Sequence, residues 1–410
     1  MVTRRAAVLF WAVTAIASAE GKFYTYVGRL SEDSVLLAWG TAGGGGNTIG
    51  RDSRSHGNAT VTVGARRATT QKNWIEVDGL APDTKYPYEV AVDGRTVGKG
   101  QVRTWPREAR KLTFLVIGDY GNGTREQARL AEVMTREVAE RGASPSPVRF
   151  VITTGDNVYG SGLFGLSHTG DDDGDWAKKF FEPYGRVIAE IPFYPTVGNH
   201  DGNESERRGD LGVYLDNFFF PGGEKSRFYR FAFANYVEFF ALDSSDNSEQ
   251  GGTRPLYLPD GEQSQWLGRA MAERSAAPWR IAYFHHPPFT AGPRHPPSRG
   301  TLGHWMELFQ KYGVQAVFNG HEHNLQFSEV NERTAGIQYV ISGSGGQRRG
   351  GSVRREMEAA NIAGWSAQRQ FLVVEMDGDT MWITPKSFEP MRVVNAKGAP
   401  VKLPVVVKRR

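Results

Sequence analysis

The chain has 410 residues, too many for one small core and enough for two domains or one large layered one. It contains no cysteine, which excludes disulfides, thiolate metal sites and cysteine nucleophiles; any metal must be held by His, Asp, Asn, Glu or Tyr. The net charge of +4 is mild for this length, and no basic stripe interleaved with aromatics marks a nucleic-acid partner.

Residues 1–19 read as a signal peptide. Arg4 and Arg5 form a positive start, 6–17 are apolar, and Ala17-Ser18-Ala19 is a small-x-small cleavage site. The apolar run is too short to span a bilayer; the competing reading is a short N-terminal anchor. The paired arginines are weak evidence for export in a folded state. No later segment is long and apolar enough to cross a membrane, so a secreted or periplasmic protein with no span after signal removal is expected.

Residues 21–106 carry short alternating runs: "SVLLAWGT" (34–41), "WIEVDGL" (74–80) and "YPYEVAV" (86–92). Turn signals separate them: "GGGGN", "APD" and "DG". This pattern predicts an antiparallel β-sandwich of the fibronectin/immunoglobulin type. Trp39 sits on an early strand. In "LAPDTKY", Leu80, Pro82, Thr84 and Tyr86 recur at every second residue, and the stretch resembles the corner before a late strand of fibronectin type III domains. "PREAR" (106–110) reads as a linker.

From 111 to 405 the pattern becomes strand, helix, strand. "KLTFLVIGDYG" is a strand running into a turn. A helix is expected over 124–142, with Thr124 as N-cap and Gly142 as stop. "VRFVITTGDNVYG" is the next strand. Helical stretches are expected near 175–190, 260–276 and 301–312. Strands are expected in "FYPTVGNHD", "VEFFALDS", "RIAYFHHPP", "QAVFNGHEH" and "IQYVISGSGG", with a hairpin in "FLVVEMDGDTMWITPKS". The layout is α/β with buried strands. "GSGGQRRGGSVRR" (343–355) reads as a mobile surface loop.

Five strand-like runs end in a polar, metal-competent residue: Asp119, Asp156, Asn199, His285 and the pair His321/His323. Ligands of open α/β sheets bind outside the carboxyl ends of the strands. Singly, each residue has an ordinary reading as a turn residue or a packed histidine. Jointly they suit two metal ions, which at about 3.5–4 Å apart clamp both the attacking and the leaving oxygen of an in-line displacement at phosphorus. Asp156, central in chain order, suits a bridge. In an extended chain residues i and i+2 face one side, so His321 and His323 can each serve a different ion.

The blocks "GDYG", "GDNVY", "GNHD", "AYFHHP" and "GHEH" resemble, in order across 111–345, those of purple acid phosphatases, a branch of the calcineurin-like metallophosphoesterases. The N-terminal region resembles the first domain of the plant-type enzymes. "FFEPYGRVIAEIPFYPTVGNHD" and "YGVQAVFNGHEHNLQF" resemble the small mammalian, tartrate-resistant branch. The resemblance implies a metallophosphoesterase domain with a two-sheet ββ core flanked by helices. It implies that Asp119, Tyr159 and His323 hold ferric iron, that Asn199, His285 and His321 hold a divalent ion (Fe, Zn or Mn), and that Asp156 bridges. The protein-phosphatase branch has a histidine where this chain has Gly121, and Tyr159 fills that vacancy. A free phenol titrates near ~10, so its binding as phenolate favours a trivalent ion.

His200 follows Asn199 and can protonate the leaving oxygen, a role worth about 10²–10⁴ in rate; the competing reading is orientation of Asn199. The family places substrate-contacting histidines after the fourth block, where this chain offers His295. Ala282 replaces a common Val, a packing change. His286 reads as packed beside a ligand and His304 as structural; His56 and His168 receive no role. "DDDGDW" (171–176) lacks the ligand spacing of a calcium loop and reads as a solvated helix start. Arg348, Arg349, Arg354 and Arg355 either steer phosphate esters or decorate a solvated loop.

These readings combine into an exported binuclear-metal acid phosphatase, hydrolysing small phosphate monoesters by in-line attack of a metal-bound hydroxide. The rivals are a phosphodiesterase or nucleotide hydrolase on the same site, and a cell-surface binding protein with a degenerate hydrolase domain.

Overall fold

The computed structural model describes residues 22–43, 48–160, 176–202, 211–246 and 255–409. The signal-peptide reading, His168 and all but the last residue of the acidic run 171–176 lie outside them. Among the described residues no helix is long and apolar enough to cross a membrane.

The N-terminal region is all β. Its strands are β1 (Lys22–Leu30), β2 (Val35–Ala42), β3 (Ala59–Val63), β4 (Arg66–Thr70), β5 (Trp74–Val77), β6 (Lys85–Val92) and β7 (Arg95–Arg103). They form two antiparallel sheets, β1-β2-β5 and β4-β3-β6-β7. Strand β3 alternates buried and half-buried residues along its length, as a strand with one inward face must. Trp39 is buried in the core. The Tyr86 hydroxyl accepts the Ala81 N–H at 2.8 Å. That is a tyrosine corner, which pins the chain as it enters β6.

The second region runs β8 (Lys111–Ile117), α1 (Arg125–Arg141), β9 (Val148–Thr153), a π-helical turn (Ala177–Phe181), α2 (Glu182–Ile188), β10 (Phe193–Tyr194), α3 (Gly212–Asn217), β11 (Tyr229–Phe233), β12 (Val237–Ala241), α4 (Glu262–Ala272), β13 (Trp279–Tyr283), α5 (Gly303–Lys311), β14 (Ala316–Asn319), β15 (Leu325–Ser328), β16 (Gln338–Ser342), β17 (Ile362–Ser366), β18 (Phe371–Asp377), β19 (Thr380–Lys386) and β20 (Val405–Lys408). Helix α1 begins as expected, with the Thr124 side chain accepting the Gln127 N–H. The strands make two mixed sheets, β10-β9-β8-β18-β19-β20 and β11-β12-β13-β14-β16-β15-β17. Strands β8, β9 and β10 are mutually parallel, as are β12, β13, β14 and β16.

Period-two alternation decides which layer each strand residue joins. Phe239, Ile281, Tyr283 and Phe318 face the first sheet, while Phe240, Ala282, Phe284 and Val317 face a second core under α4 and α5. Across the inter-sheet layer, Phe114 meets Phe239 edge-on at 5.3 Å and Phe150 meets Phe231 at 5.4 Å. Both faces of these strands are therefore apolar, which is why their sequences read as continuous hydrophobic runs.

The structure departs from the sequence expectations in four places. The strand expected in "FYPTVGNHD" is only Phe193–Tyr194, because the chain turns early to bring Gly198 against Asp156. Helix α3 was not foreseen: its six residues are too few for a periodic signal. The stretch 343–355 is no free loop in its first half. Gly345 N–H binds Gly118 O, and the N–H groups of Gly346 and Gln347 bind Asp119 O. Finally, the linker does not separate two cores. Trp105, just before it, packs against Phe150 and Phe233 of the second region, and Tyr26 of β1 meets Phe180 and Phe219. One hydrophobic cluster runs through both regions.

Candidate metal centre

The site is built where the parallel strands of both sheets end. Asp119 follows β8, Asp156 follows β9, Asn199 and His200 follow β10, His285 follows β13, and His321 and His323 follow β14. Glycines beside them allow close approach. A Cβ on Gly198 would lie 2.1 Å from the Asp156 nitrogen and 2.2 Å from its Oδ1. Three of the site residues hold left-handed backbone, with φ of 54° at Asp119, 51° at Asp156 and 69° at His321. Such conformations cost about 1–3 kcal/mol each and persist only where surrounding bonds fix them.

The seven residues read as metal ligands come together as two connected groups. In one, the Tyr159 hydroxyl lies 3.2 Å from both Asp119 Oδ1 and His323 Nε2. In the other, Asn199 Oδ1 lies 3.0 Å from His285 Nε2 and 3.0 Å from His321 Nδ1. Asp156 joins them. Its Oδ2 is 3.4 Å from His285 Nε2, and one of its carboxylate oxygens lies within 4.8 Å of the donor atoms of Asp119 and His323. His321 and His323 do diverge to different groups, but not through strand alternation. Both lie beyond β14, and the left-handed turn at His321 aims them apart.

The donor set suits cations. Asp156 Oδ2 is buried and has no hydrogen-bond partner, a costly state for a carboxylate oxygen unless a cation meets it. His285 Nδ1–H donates to Thr154 O at 2.8 Å, which points Nε2 into the site. Burial alone would lower the His285 pKa, but Asp156 and Asp119 lift it to about 10, so a proton holds Nε2 where the donors converge. A bound cation would displace that proton. Burial and the neighbouring His286 and His285 keep His321 neutral, with Nδ1 3.1 Å from His285 Nε2. Burial, then repulsion from Asp119 and Asp156, pushes the Tyr159 phenol well above its ordinary range. Only a strongly charged ion would bring it on as phenolate.

His200 and His295 face the same cavity of about 390 Å³, together with Arg294, Gln347, Arg348 and Arg349. The His200 ring packs on Tyr159 at 4.7 Å, and the His200 backbone N–H donates to Asp156 Oδ1 at 2.8 Å. The His295 ring lies tilted against that of His321, centroids 3.9 Å apart, and burial pushes its pKa down to about 4. His286 is packed, with Nδ1 on Ser244 Oγ at 2.9 Å and its ring 4.3 Å from that of His321. His304 is 3.0 Å from Ser264 Oγ, and His56 sits on Phe23 in the sandwich. Arg354 and Arg355 do not line the cavity.

Three organising residues escaped the sequence reading. Asp201 is buried and accepts the N–H groups of Gly198 and Asn157, each at 2.8 Å, so it holds the turns of both Asn199 and Asp156. Glu322, fully buried between the two histidines, accepts His295 N–H and Arg349 Nη1, each at 3.0 Å. Asn157 ties Tyr120, Thr153 and Thr196 together behind Asp156. Their signal was present, since Asp201 closes "GNHD" and Glu322 is the inner residue of "GHEH".

With this geometry in view, comparison with known proteins gives a consistent result. A family model for calcineurin-like phosphoesterases matches residues 112–325, just over half of the chain. Tartrate-resistant acid phosphatase type 5 of Oryctolagus cuniculus is 30% identical over 261 residues, covering 57% of this chain and 73% of that one. An uncharacterised protein of Mycobacterium tuberculosis is 26% identical over 340 residues, covering 75% of this chain; the match spans only 62% of that longer relative. A purple acid phosphatase from yellow lupin seeds superposes over 95% of this chain and 75% of its own, with a TM-score of 0.66 at 14% identity, a likeness of fold.

Proposed function

The chain belongs to the calcineurin-like phosphoesterase family, and from that premise we propose that it is an exported acid phosphatase that cleaves small phosphate monoesters at a binuclear metal centre. One observation carries the reading: donors from five strand ends converge around a buried Asp156 oxygen that makes no hydrogen bond among the described residues and has the His285 imidazole, at 3.4 Å, to offset its charge. Asp119, Tyr159 and His323 would hold one ion, Asn199, His285 and His321 the other, and Asp156 both. The phenol among the first three favours ferric iron there, with a divalent Fe, Zn or Mn beside it. When bound, two such ions supply positive charge for the phosphoryl oxygens and acidify the attacking water.

The chain's own groups do the rest. His200 faces the cavity with its backbone fixed by Asp156, and its imidazole is placed to hand a proton to the leaving oxygen. His295, neutral above about pH 4 in the metal-free chain, lines the same cavity and would present an N–H to a phosphoryl oxygen. Arg349, held by Glu322, adds charge at the cavity wall. The completeness of the ligand set speaks against a degenerate binding protein. Export rests on the character of residues 1–19.

The test is metal analysis of purified protein beside rates on 4-nitrophenyl phosphate and bis(4-nitrophenyl) phosphate. Two ions per chain, one of them iron, and a faster monoester reaction are expected. A faster diester reaction would favour the phosphodiesterase reading; a metal-free, inactive protein would remove both.

A further inference from the structure

A second cavity of about 610 Å³ adjoins the metal cavity, and Arg294 and His295 line both. It is the size of a small-molecule site. One wall is the segment 288–299, the other is formed by Arg333, Ser352, Glu356 and neighbouring residues.

The first wall is pinned rather than loose. Gln326 Oε1 accepts the Ala291 N–H at 2.9 Å, the Asn324 and Gln326 side-chain amides donate to Gly292 O at 3.3 and 3.2 Å, and Glu322 accepts His295 N–H. Glu322, Asn324 and Gln326 are each at least 99% buried. Buried polar groups that hold a wall in one shape reduce the ordering cost of binding against it. The residues that pin this wall thus spring from the turn that carries His321 and His323 and from β15, which follows it.

The second cavity is cationic. Arg294, Arg299 and Arg333 line it against a single acid, Glu356. Among the described residues the Arg294 guanidinium makes no hydrogen bond or ion pair, and that of Arg299 lies 5.4 Å over the Phe289 ring, with its charge uncommitted to any acid. Prolines 288, 293, 296 and 297 give the same wall an apolar surface.

We propose that this cavity receives the leaving group of the substrate, and that it selects phosphate monoesters whose leaving group carries an apolar body and a negative charge of its own. The inference rests on the monoesterase reading above. A phosphate seated by the metal ligands, His200 and His295 would direct its leaving group past Arg294, which lines both cavities, into the adjoining open cleft.

The test compares 4-carboxyphenyl phosphate, and the longer phosphate of 3-(4-hydroxyphenyl)propanoate, each with its neutral amide. Both members of a pair meet the same metals, so the acid-to-amide ratio of kcat/KM isolates the second cavity. In the wild type the ratio should exceed one and fall as salt is raised. Arg299→Ala should lower it about fivefold, the size of one exposed charge contact, and Arg299→Ala/Arg333→Ala further. Both arginines are exposed, so the variants should fold. An acid-to-amide ratio unchanged in the double variant at both lengths overturns the inference while leaving the phosphatase reading intact. Hydrolysis of none of the four esters overturns that reading, and this inference with it.

Discussion

Tyr159 shows how one side chain is set by its surroundings. Its hydroxyl sits between Asp119 and His323, and burial beside two carboxylates holds its pKa well above the ordinary range. A phenolate on ferric iron absorbs visible light through charge transfer, whereas one on zinc does not. The isolated protein should be violet to pink, and Tyr159→Phe should be colourless with its circular dichroism unchanged. A colourless, iron-free and fully active wild type would reject the ferric assignment. His200 makes a second prediction at this scale. If it gives a proton to the leaving oxygen, His200→Ala should slow esters of poor leaving groups by about 10²–10⁴ and activated aryl esters far less. Equal losses across a leaving-group series would make it a positioning residue.

Among the elements, the turns carry more of the chemistry than the strands. After β10 the chain folds back so closely that Gly198 touches Asp156, and Asp201 clamps the turn from behind. Gly198→Ala must push the turn away from a backbone atom. Ångström-scale misplacement of reacting groups costs about 10² in rate, so activity should fall by at least about that factor and the metal count should drop, with secondary structure retained. Full metal content in that variant would show that the turn can yield. Most strands leading here were legible because both their faces are buried and they read as apolar runs, ending in Gly-Asp at Asp119 and Asp156, Phe-His at His285 and Gly-His at His321. The turns were not: the left-handed φ at Asp119 is fixed by bonds from its carbonyl to Gly346 and Gln347, more than two hundred residues away.

For the molecule as a whole, the sandwich and the hydrolase region share one core. Trp105 lies among Phe150, Tyr194, Phe231 and Phe233, so Trp105→Ala should cost about 3–5 kcal/mol. Calorimetry should show one transition in the wild type; two well-separated transitions would mean that the regions melt independently. A charged clamp crosses the same boundary. Burial raises the Asp83 carboxyl, but hydrogen bonds from Arg103 and Arg149 outweigh it and hold its pKa below the ordinary range. A depressed folded value gives stability above the unfolded pKa of ~3.9 that is lost as pH falls through the folded one. Asp83 is partly exposed, so Asp83→Asn should cost only about 1 kcal/mol at pH 7 and progressively less below pH 4, as read by urea unfolding. An equal cost at pH 7 and pH 2 would remove the clamp.

The sequence by itself determined the chemistry available and where along the chain it lies. The absence of cysteine removes thiolate donors, and period-two and continuous apolar runs place the His, Asp and Asn candidates at strand ends, because burial acts on every residue locally. It also determined the sandwich, down to Tyr86, since turn residues and alternation are local signals. The motif resemblance implied how these residues group; only the tertiary structure decided which bonds aim them. His321 N–H reaches the Asp119 carboxylate across 202 positions, and that bond helps to hold the left-handed turn that sends His321 toward Asn199 and His323 toward Tyr159. The same holds for Glu322 joining His295 to Arg349, and for Trp105 joining two regions that a linker seemed to divide. Side-chain direction at a turn depends on partners distant in sequence, and no local pattern encodes them.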